Sequence, residues 1–158
     1  MQHPASDIVI IGIGNLLKQD DGIGVHAVRF LHGRMPDGVE LVEGSTYAAD
    51  LLPDLEGRRL AIIIDGLDAG EEPGAVFRFA PDEVDRKKLP PSISVHDFGI
   101  YELLVSARLL DQSPGEVVLI GVQIKELETG AELSEELERA LPLIHRLVLE
   151  EIEAVRGG

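Results

Sequence analysis

The amino-acid sequence predicts an α/β layer fold, and three observations predict it. Short apolar runs rich in β-branched residues, at 8–13 and 60–64, are typical of strands buried on both faces. Between such runs, apolar residues recur at helical spacing, so strands and helices alternate along the chain. One connection, residues 66–74, is too short to contain a helix, which indicates a mixed rather than a purely parallel sheet.

The first half of the chain predicts five elements. Residues 8–13 form the first strand, which we expect to be central because its run is entirely apolar up to Gly14. A helix follows to about Gly33, and Asp20 and Asp21 precede it where capping and the helix dipole favour negative charge. The remaining elements are a strand at 39–43, a short helix at 48–55 and a strand at 60–64 that ends at Asp65.

The second half predicts a change of strand direction. A parallel crossover needs about a dozen residues or more, so the strand at 75–79 should run antiparallel to its neighbour. A helix should open at His96 or Asp97 and end near Leu110, and a strand should follow at 116–123. The last helix has apolar residues three and four apart from Leu133 onward, and Pro142 should interrupt and kink it.

Composition narrows the possible functions of the 158-residue chain, which we expect to form one domain over residues 1–158. Fourteen Lys and Arg against 29 Asp and Glu give a net charge of −15, which disfavours nucleic acid and anionic membranes as partners. The chain contains no cysteine, so a disulfide, a thiolate-bound metal and a thiol nucleophile are excluded. Without a signal-peptide pattern or a membrane-spanning apolar run, we expect a cytoplasmic protein.

A glycine motif after the first strand raises the possibility of nucleotide binding. Gly12-x-Gly14 stands where a dinucleotide fingerprint would begin, and Glu43 could play the part of the acid that binds ribose. However, the position of the third glycine is occupied by Leu17, and two adjacent carboxylates follow where a pyrophosphate would need free backbone N–H groups. Nucleotide binding therefore remains the weaker alternative.

Acidic residues and one histidine form a second candidate site, consisting of Asp20, Asp21, Asp65 and His96. In open α/β sheets, ligands bind beyond the carboxyl ends of the strands, where these residues could meet. Two carboxylates and one imidazole would give an oxygen and nitrogen site with open positions, suited to zinc or nickel. Taken singly, each residue could instead cap a helix or stabilise a turn.

Four segments in order resemble the hydrogenase maturation endopeptidases, which trim the C-terminus of the large subunit of nickel–iron hydrogenases. These segments are Gly12-x-Gly14-Asn15-x-Leu17-x-x-Asp20-Asp21-Gly22, Asp65-x-x-Asp68-x-Gly70, Ser94-x-His96 and Leu119-Ile-Gly-Val-Gln123 with Leu133-Ser134. The resemblance implies a three-layer α/β/α sandwich around a five-stranded mixed sheet of order 2-1-3-5-4, with strand 4 antiparallel. It also implies that Asp21, Asp65 and His96 form the metal-binding and catalytic cluster.

The resemblance implies an endopeptidase that acts on the nickel-loaded precursor of a hydrogenase large subunit. The precursor would supply the nickel, and zinc or cadmium could also occupy the site. The absence of cysteine and of a G-x-S-x-G elbow favours attack by water with metal assistance over covalent catalysis. We expect a monomer whose three site residues are partly exposed in an open cleft. A metal-sensing chaperone that binds the precursor without cleaving it remains the alternative.

Overall fold

The computed structural model describes residues 6–14, 19–44, 48–80, 100–125 and 132–157. Its strands and α-helices, in chain order, are β1 (Ile8–Gly12), α1 (Ile23–Leu31), β2 (Val39–Glu43), α2 (Leu52–Leu55), β3 (Leu60–Leu67), β4 (Val76–Phe79), α3 (Ile100–Leu109), β5 (Glu116–Gln123) and α4 (Glu135–Gly157). Two 3₁₀ turns precede α1 and α2, at Gln19–Gly22 and Ala48–Leu51. We call the first of them, which contains Asp20 and Asp21, the acidic turn.

The five strands form one mixed sheet of order β2-β1-β3-β5-β4. β1 pairs in parallel with β2 and β3, and β3 pairs in parallel with β5. β4 pairs with β5 in the antiparallel direction, with Val76 opposite Val122. This topology confirms the predicted strand order and the predicted reversal of strand 4.

Helices cover both faces of the sheet, which confirms the three-layer architecture. On one face, alternate residues of the central strands, such as Ile10 and Ile62, pack against α1 and α4. On the other face, their neighbours, such as Ile11 and Ile63, pack against α2 and α3. The all-apolar sequence of β1 reflects this arrangement, because every residue of the strand is buried.

Two predictions about individual elements were wrong: the end of the third strand and the interruption of the last helix. β3 does not stop at residue 64 but continues to Leu67, because its ladder with β5 extends to the pair Leu67 and Gln123. Pro142 does not interrupt α4, which is continuous over 23 residues. Apolar side chains on both sides of Pro142, including Leu137 and Ile144, pack into the same core and hold the helix against the sheet.

Helix bounds elsewhere agree with the prediction where the structure describes them. α3 begins at Ile100 in the described part of the chain, and the predicted opening at His96 or Asp97 lies outside it. Across the described ranges, no helix combines enough length and apolar character to cross a membrane.

Candidate functional site at the carboxyl edge of the sheet

The acidic turn lies against the carboxyl end of β3. A Cβ atom on Gly66 would stand 3.6 Å from the backbone carbonyl oxygen of Asp20 and 3.3 Å from Cγ2 of Ile23. The first residues of α1 are equally close, because a Cβ atom on Gly24 would overlap the carbonyl oxygen of Ile64. The turn that carries Asp21 and the strand that carries Asp65 are therefore neighbours at this edge.

Asp65 lies within β3, two positions before its last residue, rather than after the strand as predicted. Its Oδ1 atom accepts a hydrogen bond of 2.8 Å from the backbone N–H of Gly66. Only 7% of the residue is exposed, so the expectation of a partly exposed Asp65 was wrong. The reason is the longer strand, which keeps Asp65 paired with Gly121 of β5 instead of releasing it into a loop.

The side chain of Asp65 faces the layer formed by α2 and α3. Ile62 and Ile64 pack on the α1 and α4 side, whereas Ala61 and Ile63 pack on the opposite side. Because successive side chains of a strand alternate between its faces, Asp65 continues the second set.

Asp20 is fully buried, and its carboxylate binds Lys125, after β5, and Ser134, before α4. Its Oδ2 atom accepts hydrogen bonds from the backbone N–H of Lys125, at 2.8 Å, and from the hydroxyl of Ser134, at 3.0 Å. Its Oδ1 atom accepts a bond of 2.8 Å from the backbone N–H of Ser134. Within the described residues, the N-cap of α1 is Gly22, with no side-chain cap.

A second polar contact connects Lys125 to the start of α4. Lys125 Nζ lies 3.0 Å from Oε1 of Glu136, in the first turn of α4. The pKa of Glu136 is lowered, first by a hydrogen bond from its own backbone N–H and then by the bond from Lys125. Sequence analysis did not identify these partners. Leu133-Ser134 had appeared only as part of a motif, and contacts over more than a hundred residues leave no local signal.

Gln123 organises the loop that follows β3. Its Oε1 atom accepts hydrogen bonds from the backbone N–H groups of Ala69, at 2.8 Å, and Glu71, at 3.3 Å. Its Nε2 atom donates to Oδ1 of Asp68, at 3.2 Å, and to the carbonyl of Ile124, at 3.0 Å. The residue is 4% exposed, so this amide is a buried structural connection between β5 and the loop. Gln123 stood in the quoted motifs, but sequence analysis assigned it no role.

The other two predicted site residues are described only in part. Asp21 belongs to the acidic turn, whose backbone is described, whereas its side chain and the whole of His96 lie outside the described residues. Within the described residues, no three His, Asp or Glu side chains lie close enough together to hold a metal ion. The shared site of Asp21, Asp65 and His96 therefore stays a prediction.

The glycine motif has a packing role. A Cβ atom on Gly12 would stand 2.5 Å from the carbonyl carbon of Gly24 and 2.8 Å from Cγ2 of Val28. Glu43, the candidate ribose ligand, instead binds Arg29, whose Nη2 atom lies 2.9 Å from Glu43 Oε1. These contacts account for the residues that suggested nucleotide binding.

Comparison with known proteins shows which family the chain belongs to. The family model for HycI, hydrogenase maturation protease, matches residues 25–151 of the chain. The chain belongs to the hydrogenase maturation proteases. Membership makes it a hydrolase of the endopeptidase class, and the match extends from α1 into α4, across most of the sheet.

Individual hydrogenase maturation proteases and related proteins agree with this result. The hydrogenase expression/formation protein HoxM of Azotobacter vinelandii is 38% identical over 149 residues, covering 92% of this chain and 72% of HoxM. HupD of Bradyrhizobium diazoefficiens is 39% identical over 123 residues, covering 77% of this chain and 64% of HupD. The chain thus spans about two thirds to three quarters of these relatives' lengths.

A solved hydrogenase maturation protease has the same fold. The hydrogenase maturating endopeptidase HybD from Escherichia coli matches with a TM-score of 0.79 and 28% sequence identity. The match covers 93% of this chain and 92% of HybD. The layer order and mixed sheet described above are therefore those of this endopeptidase.

Proposed function

We propose that this chain removes a C-terminal segment from the nickel-loaded precursor of a nickel–iron hydrogenase large subunit. In this proposal Asp21, Asp65 and His96 bind the metal and carry the reaction. The observation that supports it best is that Asp65 is buried in β3 at the carboxyl edge of the sheet, where the acidic turn lies against the next residue, Gly66. In open α/β folds this edge is where ligands bind.

The position of the acidic turn supports a shared role for Asp21 and Asp65. The turn is held against β3 through two glycines, Gly24 and Gly66, at which added side chains would collide with the neighbouring elements. The backbone of Asp21 therefore lies near the end of the strand that carries Asp65. Two nearby carboxylates are costly unless a cation stabilises them, which favours a metal between them.

The direction of α3 supports the inclusion of His96. α3 packs on the same face as Asp65 through Leu103 and Ala107. It ends at Leu109, shortly before β5 begins at the amino edge of the sheet with Glu116, so its first turn points toward the carboxyl edge. His96 stands four positions before Ile100, and four residues of extended chain span up to about 14 Å.

The donor set fits a divalent transition metal. Two carboxylates and one imidazole supply the oxygen and nitrogen ligands that nickel, zinc or cadmium accept, and Asp65 provides one of them from a rigid strand. In the proposed reaction nickel arrives as part of the substrate, installed in the precursor. When bound, such a metal polarises a carbonyl group or acidifies a water molecule.

The chain itself contributes position and shielding. The ladder with β5 holds Asp65 at a defined place, and its burial keeps bulk water from most of the carboxylate. Gln123 holds the loop that follows the strand, so the neighbourhood of Asp65 is ordered before the substrate binds. No cysteine is available as a nucleophile, which leaves water as the attacking group in this proposal.

Incubation of purified precursor with this protein tests the proposal. Nickel-loaded precursor should lose the mass of its C-terminal segment, whereas nickel-free precursor should keep its full mass even with this protein in excess. Efficient cleavage of nickel-free precursor would contradict recognition of nickel. Tight association without any loss of mass would favour the non-catalytic chaperone instead. The cytoplasmic location and the monomeric state stay predictions.

A further inference from the structure

We propose that Asp20 is a positioning residue that holds the acidic turn, and with it Asp21, against the end of β3 by binding both ends of the β5–α4 connection. The inference concerns a residue that takes no part in the metal cluster proposed above. Its kinetic consequence rests on the proposed function, whereas its structural consequence does not.

The buried carboxylate of Asp20 is hydrogen-bonded to two residues that are distant in sequence. Both carboxylate oxygens accept hydrogen bonds from neighbouring residues, namely the backbone N–H of Lys125 and the backbone N–H and hydroxyl of Ser134. Carboxylates that accept bonds from N–H and O–H donors form the stronger class of hydrogen bond. The three bonds engage most of the lone pairs of this carboxylate with the protein, which favours a role in holding the turn over a role in binding metal.

The partners of Asp20 directly adjoin two regular elements, β5 and α4. Ile124 donates its backbone N–H to the carbonyl of Leu67 at 3.0 Å, so Lys125 follows directly on the end of the β3–β5 ladder. Ser134 immediately precedes α4, and its carbonyl accepts the N–H groups of Leu137 and Glu138. Asp20 thereby connects the turn before α1 to the end of the sheet and to the start of α4.

This connection determines where Asp21 can lie. Asp20 and Asp21 are adjacent in a four-residue turn, so a displacement of one moves the other. A misplacement of about 1 Å in a catalytic arrangement can lower a rate by about a hundredfold. A substitution at Asp20 should therefore act on the rate of the chemical step more than on substrate binding.

Asp20→Asn is the sharpest variant, because it keeps the shape of the side chain. Each carboxylate oxygen of Asp20 accepts a backbone N–H, from Lys125 or from Ser134, so an amide NH₂ at either position must lose at least one of these bonds. Ser134→Ala removes the hydroxyl bond alone and keeps the backbone bond. Ser134→Thr keeps a hydroxyl. Val148→Ala is the control, because it creates a cavity in the core far along α4 without touching this network.

Two readouts are measured on the full chain: amide hydrogen exchange by NMR, and kcat and KM for nickel-loaded precursor. Asp20→Asn should speed exchange at Lys125, Ser134 and the acidic turn, and should lower kcat about tenfold or more with KM changed by less than about threefold. Ser134→Ala should be intermediate and Ser134→Thr close to wild type. Val148→Ala should lower the free energy of unfolding but keep the wild-type kcat and the slow hydrogen exchange of these amides.

Three results would overturn the inference. Unchanged exchange in Asp20→Asn would remove the connection itself. Full kcat in Asp20→Asn, despite faster exchange, would reduce the residue to a structural role. Loss of activity in Asp20→Asn together with a fully active Ser134→Ala and an undisturbed acidic turn would mean that Asp20 acts directly on the reaction. If wild type does not cleave the precursor, the proposed function fails, while the exchange data still decide whether Asp20 holds the turn.

Discussion

Gly12 of β1 and Gly24 of α1 approach so closely that a Cβ atom on Gly12 would stand 2.5 Å from the carbonyl carbon of Gly24. A Cβ atom on Gly24 would overlap the carbonyl oxygens of Ile13, directly after β1, and of Ile64 in β3. The start of α1 therefore touches the backbone of two strands. This contact brings the acidic turn to the carboxyl end of β3.

Gly24→Ala should destabilise the protein strongly. The atoms that a methyl group would meet belong to backbone, which cannot move aside as a side chain can, so we expect a loss of about 3 kcal/mol or more in the free energy of unfolding. Denaturant unfolding measures this loss. Gly157→Ala is the matched control, because no atom lies within 4 Å of the added methyl group and its effect should stay within about 1 kcal/mol. Equal effects of the two substitutions would contradict the close approach.

Gln123→Met should loosen the loop after β3. The apolar side chain is similar in length but leaves the N–H groups of Ala69 and Glu71 without their acceptor, which should cost about 1–3 kcal/mol. Amide exchange at these two residues should accelerate as well. Gln112→Met, at a half-buried position after α3, should change stability by about 0.5 kcal/mol or less. An unchanged amide exchange rate at Ala69 in Gln123→Met would show that the loop is held by other contacts.

Asp54→Asn should alter the pH dependence of stability. Burial raises the pKa of Asp54, and the Glu40 carboxylate raises it further, against the opposing effect of Arg58. The native state thus binds this proton more tightly than the unfolded chain, so ionised Asp54 lowers stability as pH rises through its raised pKa. The Asn variant should therefore gain stability relative to wild type between acidic and neutral pH. A difference between the two proteins that does not vary with pH would contradict the raised pKa.

The protein alone should bind Ni²⁺ or Zn²⁺ only modestly. The three proposed side chains leave coordination positions that the precursor would complete, and a chain that supplies fewer ligands binds metal less tightly. In calorimetric titration with either metal, Asp65→Asn should abolish the modest binding that we expect for the wild-type chain. Asp7→Asn is the control, because Asp7 precedes β1 at the opposite edge of the sheet. Equal binding by the Asp65→Asn and wild-type chains would exclude Asp65 as a ligand.

The sequence predicted the fold well because the fold depends on local patterns. The apolar runs identified the buried strands, and the nine residues at 66–74 predicted the antiparallel direction of β4. The strand order came from the family resemblance. The end of β3 was missed because Asp65 and Gly66 are poor strand formers, and only pairing with β5 keeps them in the ladder.

The candidate site was predictable in its location but not in its contacts. Strand ends and acidic residues indicated the carboxyl edge, where Asp65 and the acidic turn are found. The roles of Asp20 and Gln123 depend on partners distant in sequence, so no spacing rule distinguishes the buried Asp20 from the adjacent Asp21. For the same reason the glycine motif suggested a phosphate loop, whereas Gly12 serves contact between β1 and α1.

The mass of nickel-loaded precursor after incubation with Asp65→Asn tests most directly whether Asp65 serves an endopeptidase site. Asn keeps the oxygen that accepts the N–H of Gly66, so the fold should survive, as circular dichroism can verify. We expect wild type and the Asp7→Asn control to shorten the precursor and Asp65→Asn to leave its mass unchanged. Processing by folded Asp65→Asn at the wild-type rate would contradict the account.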